Sequence, residues 1–275
     1  MASPGEKLAE SLEVLRELQK RGVVAVRSVD LARTHRERLV KNGFLLEVMK
    51  GWYIPARPDE AGGESTIWYA SFWEFCAAYL HMRFGTNWSL SPEQSLLLHA
   101  GNTTVPRQLL VRSPKARNRI TALPHNTSLF DTRAALPGAG QTAEHSGLRL
   151  FSVPAGLVNC KPMFFQQNAT DARTVLAMVG DASDVLELLL EGGRTTVAGR
   201  LAGAFRNIGR DRIADNIVKT MQTADYDIRE KDPFEDTLDL ILPMREKSPY
   251  VNRIRLMWQQ MREPILEKFP APPGS

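Results

Sequence analysis

The stretch THRERLVKNGFLLEVMKGWYIP, residues 34–55, leaves the chain few choices. A basic run with helical spacing, an Asn-Gly stop and two short apolar strands around Lys50-Gly51 follow one another with no spare residues. A helix must therefore pass at once into a tight hairpin. Gly43 fits the position just after a helix, where the backbone turns left-handed, and Thr34 is the candidate N-cap. Upstream, Leu8, Leu12, Leu15 and Leu18 recur at three- and four-residue spacing and predict an amphipathic helix over 6–20 that ends at Gly22. VVAVRS predicts a short strand, and VDLAR one or two further helical turns. Helix, helix, helix and hairpin is the order of a winged helix-turn-helix, expected here over residues 1–60. Pro55, Pro58 and EAGGES then mark a boundary near residues 57–65.

Beyond that boundary, STIWYASFWEFCAAYLHMRFG carries Trp68, Phe72, Phe75, Cys76 and Tyr79 at helical spacing, so this helix must bury an aromatic face. From Trp88 to Phe151 short strand candidates (QLLVRS, NRITAL, GLRLFS) alternate with turns and one short helix, PEQSLLLHA. From Pro154 to Ala224 the pattern becomes helical in four runs: TDARTVLAMVG, DASDVLELLLEGG, TTVAGRLAGAFRN and DRIADNIVKTMQTA. The fold class is thus α+β: the winged helix, then a larger mixed α/β domain over 61–228 with a helical C-terminal half. Residues 229–275 read as a linker and a terminal helix, YVNRIRLMWQQMREPILEKF, before PAPPGS.

Composition excludes several classes. With 275 residues and 43% hydrophobic content the chain can build a proper core, and a net charge of +4 rules out a polycationic coat for nucleic acid, so any phosphate contact has to be local. Cys76 and Cys160, far apart in apolar surroundings, read as buried thiols of a reducing compartment. The N-terminus has acids within its first ten residues and no long apolar run, and no window approaches the roughly 18–20 apolar residues of a membrane span. The expectation is a cytoplasmic protein with no membrane partner. Five scattered histidines (His35, His81, His99, His125, His145) offer no metal-ligand spacing, and no nucleophile elbow, P-loop or Cys-His pair is present. No Asp or Glu has a lysine at the second position after it, so the acid-x-Lys element of a common nuclease site is missing too. No cofactor, metal or catalytic residue is expected, and the chain is read as a non-enzyme.

What remains is binding. On a helix over 34–42, Thr34, Glu37, Arg38 and Lys41 share one face, while His35, Arg36 and Leu39 share roughly the other. A second helix with such a face enters the major groove in a helix-turn-helix, and a hairpin tip adds a backbone contact, here Lys50. Arg33, Thr34, Arg36, Arg38, Lys41 and Lys50 are the expected DNA contacts. Arg38 is expected to discriminate bases. Arg112, Lys115 and Arg117, in the acid-free loop RSPKARNR, are the expected auxiliary contacts. The run EGGRTTVAGRLAGAFRNIGRDR carries Arg194, Arg200, Arg206, Arg210 and Arg212. Gly199 and Gly203 within it point first to close helix packing and only second to a phosphate site. Trp52 and Tyr53 alternate along one strand, so one of them is expected to face the core and the other to be partly exposed.

VVAVRSVDLARTHRERLVKNGFLLEVMKGWYIP resembles the N-terminal winged helix of AbiEi-type antitoxins and related regulators, in which a helix ending L-V-x-x-G leads to a strand, a basic-Gly turn and a Y/W-Y-x-P strand. WSLSPEQSLLLHAGNTTVPRQLLVRSP resembles the start of their C-terminal domain, although Gln94 and Ser95 stand where small residues are usual and Gly101 comes one residue late. The two matches cover about the first 125 residues. The resemblance implies a regulator that occupies its own operator on double-stranded DNA and is paired with a toxin. SPYVNRIRLMWQQMREPILEKFP is similar to what precedes the catalytic part of some Fic-domain proteins. That implies an alternative: a protein-interaction module associated with a Fic-type transferase. Neither the Fic signature H-x-F-x-D/E-G-N-G-R nor the Fic inhibitory motif occurs in the chain.

Overall fold

The computed structural model describes residues 3–58 and 63–235, and within them the protein is α+β. Helix α1 (Pro4–Lys20) is opened by a capping box in which Ser3 and Glu6 satisfy each other's backbone N–H groups, with Pro4 at the first helical position. It is followed by β1 (Val26–Arg27), α2 (Arg33–Lys41) and the hairpin β2 (Leu45–Met49) and β3 (Trp52–Pro55). Gly43 and Gly51 take φ of +76° and +82°, the left-handed conformations that the helix stop and the hairpin turn require. β3 is the centre of a three-stranded antiparallel sheet of order β1-β3-β2.

Three expectations fail in this region. VDLA makes a turn and no helix of its own, and Arg33 already belongs to α2: the Asp30 carboxylate accepts from the Arg27 backbone N–H (2.9 Å) and from its guanidinium, which closes the chain back on itself. Thr34 does not cap α2; the N-cap falls two residues earlier, at Ala32, with no side-chain cap bond, and the helix starts at Arg33. The exposure expected of Trp52 or Tyr53 is also absent, because both are buried. The sheet is covered on both faces. Tyr53 packs with Leu15, Leu31, Leu39 and Leu45 beneath α1 and α2, while Trp52, Ile54 and Val48 join the aromatic stripe of α3 (Gly63–Phe84).

That stripe is the centre of the larger core. Trp68, Phe72 and Phe75 are fully buried, and Trp52 meets Phe75 and Tyr79 edge-on at 5.8 and 5.5 Å. Against it lies a four-stranded sheet formed by β4 (Ser89–Leu90), β5 (Gln108–Ser113), β6 (Arg119–Ala122) and β7 (Ser128–Arg133), in the order β4-β5-β7-β6. β5 and β7 run parallel, and β4 and β6 are antiparallel edges. A separate hairpin, β8 (Thr142–His145) and β9 (Leu148–Phe151), adds to the same core through Leu148 and Leu150.

The helical half comprises α4 (Pro92–His99), α5 (Val153–Asn159), α6 (Met163–Gln167), α7 (Ala169–Met178), α8 (Ser183–Glu191), α9 (Thr195–Asn207) and α10 (Asp211–Thr223), built around a second core that includes Phe164, Phe165, Leu201, Phe205 and Ile217. Gly199 and Gly203 do permit a close approach, but the partner is not a helix. A Cβ at either position would run into the carbonyl oxygens of Arg229 and Lys231, where the segment after α10 crosses α9. The terminal helix expected over 250–269 lies outside the described residues.

Candidate nucleic-acid interface

α2 presents its residues in three tiers. Leu39 is buried, His35, Arg36 and Arg38 are half-buried, and Arg33, Thr34, Glu37, Val40 and Lys41 are exposed. The half-buried arginines are anchored inward. Arg38 Nη1 donates to the Lys7 carbonyl (2.6 Å) and to Ser11 Oγ (2.7 Å) on α1, and the same hydroxyl meets His35 Nδ1 at 3.0 Å. Arg36 Nη1 donates to the Ser28 carbonyl (2.8 Å), and its guanidinium lies 5.9 Å from the Tyr53 ring centre. Both therefore brace α2 against its neighbours. On the exposed face Arg33 pairs with Glu37 one turn on (2.6 Å), whereas Lys41, and Lys50 at the hairpin tip, are exposed and make no ion pair with a described residue.

A stronger concentration of charge lies in the second sheet. Residues 101–140 hold Arg107, Arg112, Lys115, Arg117, Arg119 and Arg133 against a single acid, Asp131, which is net +5 in a chain of net +4. The topology gathers five of these cations at one end. β5 and β7 are parallel, so Arg112, at the end of β5, and Arg133, at the end of β7, come to the same edge of the sheet. β6 runs antiparallel to β7, which brings its start at Arg119 there too, and Lys115 and Arg117 lie in the connecting loop. Lys115, Arg117, Arg119 and Arg133 are exposed, while Arg112 stacks on Phe151 with its guanidinium 5.4 Å from the ring centre.

Asp131 organises that end from beneath. Its fully buried carboxylate accepts from the backbone N–H groups of Arg117 (2.9 Å) and Arg119 (3.1 Å) and pairs with Arg83 of α3, which has little exposure. Burial alone would push this carboxyl up, but the two N–H donors and the Arg83 charge outweigh it and hold Asp131 below the usual carboxylate range. The acid is thus spent on folding the loop, and the cations above it face solvent without a counter-charge from residues 101–140. Arg83 and Arg133 escape a local reading of the loop. The signal that would have found the wider patch is the forty-residue run with one acid.

Elsewhere the arginines of the helical half are occupied. Arg194 donates to Asn159 Oδ1 (3.0 Å) and Arg200 to the Cys160 carbonyl (3.2 Å). Arg210 donates to the carbonyls of Ala177 (2.8 Å) and Val179 (2.5 Å), and Arg206 holds Asp211, Asp215 and Glu230. The structure supports packing at this run, as its glycine spacing suggested. Cys76 and Cys160 are free and buried, and burial pushes the Cys160 thiol up to about 12, which makes it inert as a nucleophile. His99 Nε2 donates to the Phe151 carbonyl at 2.8 Å, a satisfied structural role. Among the described residues no group of three or more His, Cys, Asp or Glu side chains is placed to hold a metal ion, and no helix is long and apolar enough to cross a membrane.

No protein-family model and no curated protein matches the chain. Among solved structures, it is similar to the Rv2827c protein from Mycobacterium tuberculosis, with a TM-score of 0.51 and 17% identity over 75% of this chain and 79% of that one. At that identity the likeness concerns the fold.

Proposed function

We propose that the protein is a DNA-binding transcriptional regulator of the AbiEi antitoxin type, which occupies an operator without catalysis and is neutralised by, or neutralises, a partner toxin. Residues 4–55 act as the winged helix, with the exposed side of α2 (Arg33, Thr34, Lys41) in the major groove and Lys50 on the backbone. Arg36 and Arg38 hold the helix at its angle. Arg112, Lys115 and Arg117, with Arg119 and Arg133, contact phosphates from the second sheet. The observation that carries this reading is the gathering of five cations at one end of that sheet over a carboxylate already consumed by folding, since affinity for duplex DNA is dominated by phosphate neutralisation.

Fluorescence-anisotropy titration of the purified chain with its own upstream duplex and with a scrambled duplex, across a range of salt, tests it. Tight upstream binding that falls with salt is expected. Lys50→Ala is expected to weaken both duplexes alike and to reduce the salt slope by about 0.9, the contribution of one phosphate. Arg38→Ala is expected to weaken both as well, through a loosened α2, and to lower thermal stability. Loss of discrimination by Arg38→Ala with stability unchanged would return Arg38 to the base-contact set. Equal, salt-insensitive binding of both duplexes by the unmodified chain would overturn the proposal.

A further inference from the structure

The second sheet has one face on the aromatic core and one on solvent. Register places Leu110, Phe130 and Ile120 side by side across β5, β7 and β6 on the solvent face, since Leu110 pairs with Phe130 and Phe130 with Ile120. The alternation confirms the side: Leu109, Val111, Leu129 and Asp131 are buried, whereas Leu110 is 36% and Ile120 66% exposed and Phe130 half-buried. Three apolar side chains on adjacent strands make an exposed strip about 10 Å long, at about 4.8 Å per strand. On one side of the strip lie Gln108, Ser128 and Ala122, and on the other Arg112 and Thr132, with the cationic end of the sheet beyond them.

We infer that this face binds single-stranded nucleic acid, with unstacked bases against Leu110, Phe130 and Ile120 and phosphates at Arg112, which shares their face, and at Lys115 and Arg117 of the adjoining loop. The chemistry selects the partner. A polyanion is required, because residues 101–140 offer no exposed acid, and its apolar surface must be accessible beside its charge. In a duplex the base faces are stacked inside, so the apolar strip would meet nothing. A single strand presents both base faces and phosphates, and flat sheet faces with an aromatic ring are established platforms for it. Gln108, Ser128 and Thr132 supply neutral hydrogen-bonding groups beside the strip. This surface does not involve α2 or the hairpin; it shares its cations with the proposed operator contacts and adds the apolar strip, which a duplex does not use.

The test is anisotropy of the full chain with a labelled 12-nucleotide mixed-pyrimidine strand, as DNA and as RNA, and with the matching duplex, at several salt concentrations. The charge-neutral double variant Leu110→Ser/Ile120→Ser changes two side chains already exposed, and circular dichroism checks its fold. Single-strand binding is expected to weaken about tenfold in the variant while duplex binding stays within about twofold. If Ile120→Ser alone must be used, a several-fold loss confined to the single strand is expected. No single-strand binding at low salt, equal loss on strand and duplex, or displacement of the strand by poly-glutamate of equal charge as readily as by unlabelled oligonucleotide would overturn the inference. The last of these outcomes would instead point to an acidic protein surface. If the unmodified chain binds the single strand and not the duplex, the operator reading falls and this one stands; loss of duplex binding alone in the double variant would overturn this one.

Discussion

At the scale of single residues, the fold is decided by a few polar side chains that turn inward. Asp131 is the clearest. It sits mid-strand on the core side of β7, paired with Arg83 and accepting two backbone N–H groups, so its charged form is stabilised in the folded state. A depressed folded pKa means that the stabilisation is fully present above the carboxyl's unfolded value, near 3.9, and drains away as pH falls through the folded value. Asp131→Asn is therefore expected to cost about 3 kcal/mol or more near neutrality, by stranding Arg83 with little exposure. The deficit should begin to shrink as pH falls below the unfolded carboxyl's value, near 3.9, and should disappear only below the lower folded value, where the native carboxyl also loses its charge. Urea unfolding of both proteins at pH 7 and pH 3 measures this, and a difference independent of pH would contradict the account. The same residue explains why β7 is hard to see in the sequence: SLFDTR places a charge where a buried strand residue belongs, and nothing local announces the Arg83 partner 48 positions upstream.

At the scale of elements, legibility follows the range of the forces. The helices α1, α3, α4 and α7 to α10 stand where the spacing of apolar residues placed them, and so do β5 and β9, because burial is written into each run; β6 also stands where expected, although none of its residues is buried. The parallel pairing of β5 with β7 and the burial of both Trp52 and Tyr53 depend on what covers a strand, which the strand itself does not encode. Among the site residues, Lys41, Lys50, Lys115 and Arg117 are exposed as a binding role requires. Spacing sets Arg36 on the Leu39 side but leaves Arg38 on the face of Lys41, and only the approach of α1 and of Ser28 reveals the braces of both. The segment after α10 is a similar case. Its charges suggest a solvated linker, yet Lys231 N–H reaches the Gly199 carbonyl (3.2 Å), Glu230 pairs with Arg206 and Phe234 packs edge-on against Phe165 at 5.6 Å. Gly203→Ala would drive a methyl group into the Lys231 backbone and should expel this strap. A loss of about 2 kcal/mol or more and new proteolytic cleavage between residues 226 and 234 are the expected outcome. Unchanged protease resistance would show that the strap accommodates the methyl group.

At the scale of the molecule, the hairpin is shared property. β3 lies between two apolar clusters: Tyr53 belongs to the one beneath α1 and α2, and Trp52 and Ile54 to the one built on α3. Neither cluster can lose the hairpin without exposing its own interior, so the proposed DNA-reading module and the sheet with its cationic end are energetically coupled across β3. A groove of about 910 Å3 opens beside this junction, lined by Leu18, Val23, Trp52, Ala78 and Met82 among others, yet the junction below it is closed by Trp52 against Phe75 and Tyr79. Unfolding followed by tryptophan fluorescence, which reports mainly the α3 core, and by far-UV circular dichroism, which reports all helices, should give coincident transitions. Trp52→Ala removes the large side chain that faces α3 and should lower stability by about 3–5 kcal/mol, moving both transitions together. Should the variant instead split into an early transition with loss of α1 and α2 helicity and a late one for the remainder, the hairpin would belong to the N-terminal elements alone. The two charged surfaces would then act as independent units, joined by the chain and not by a common core.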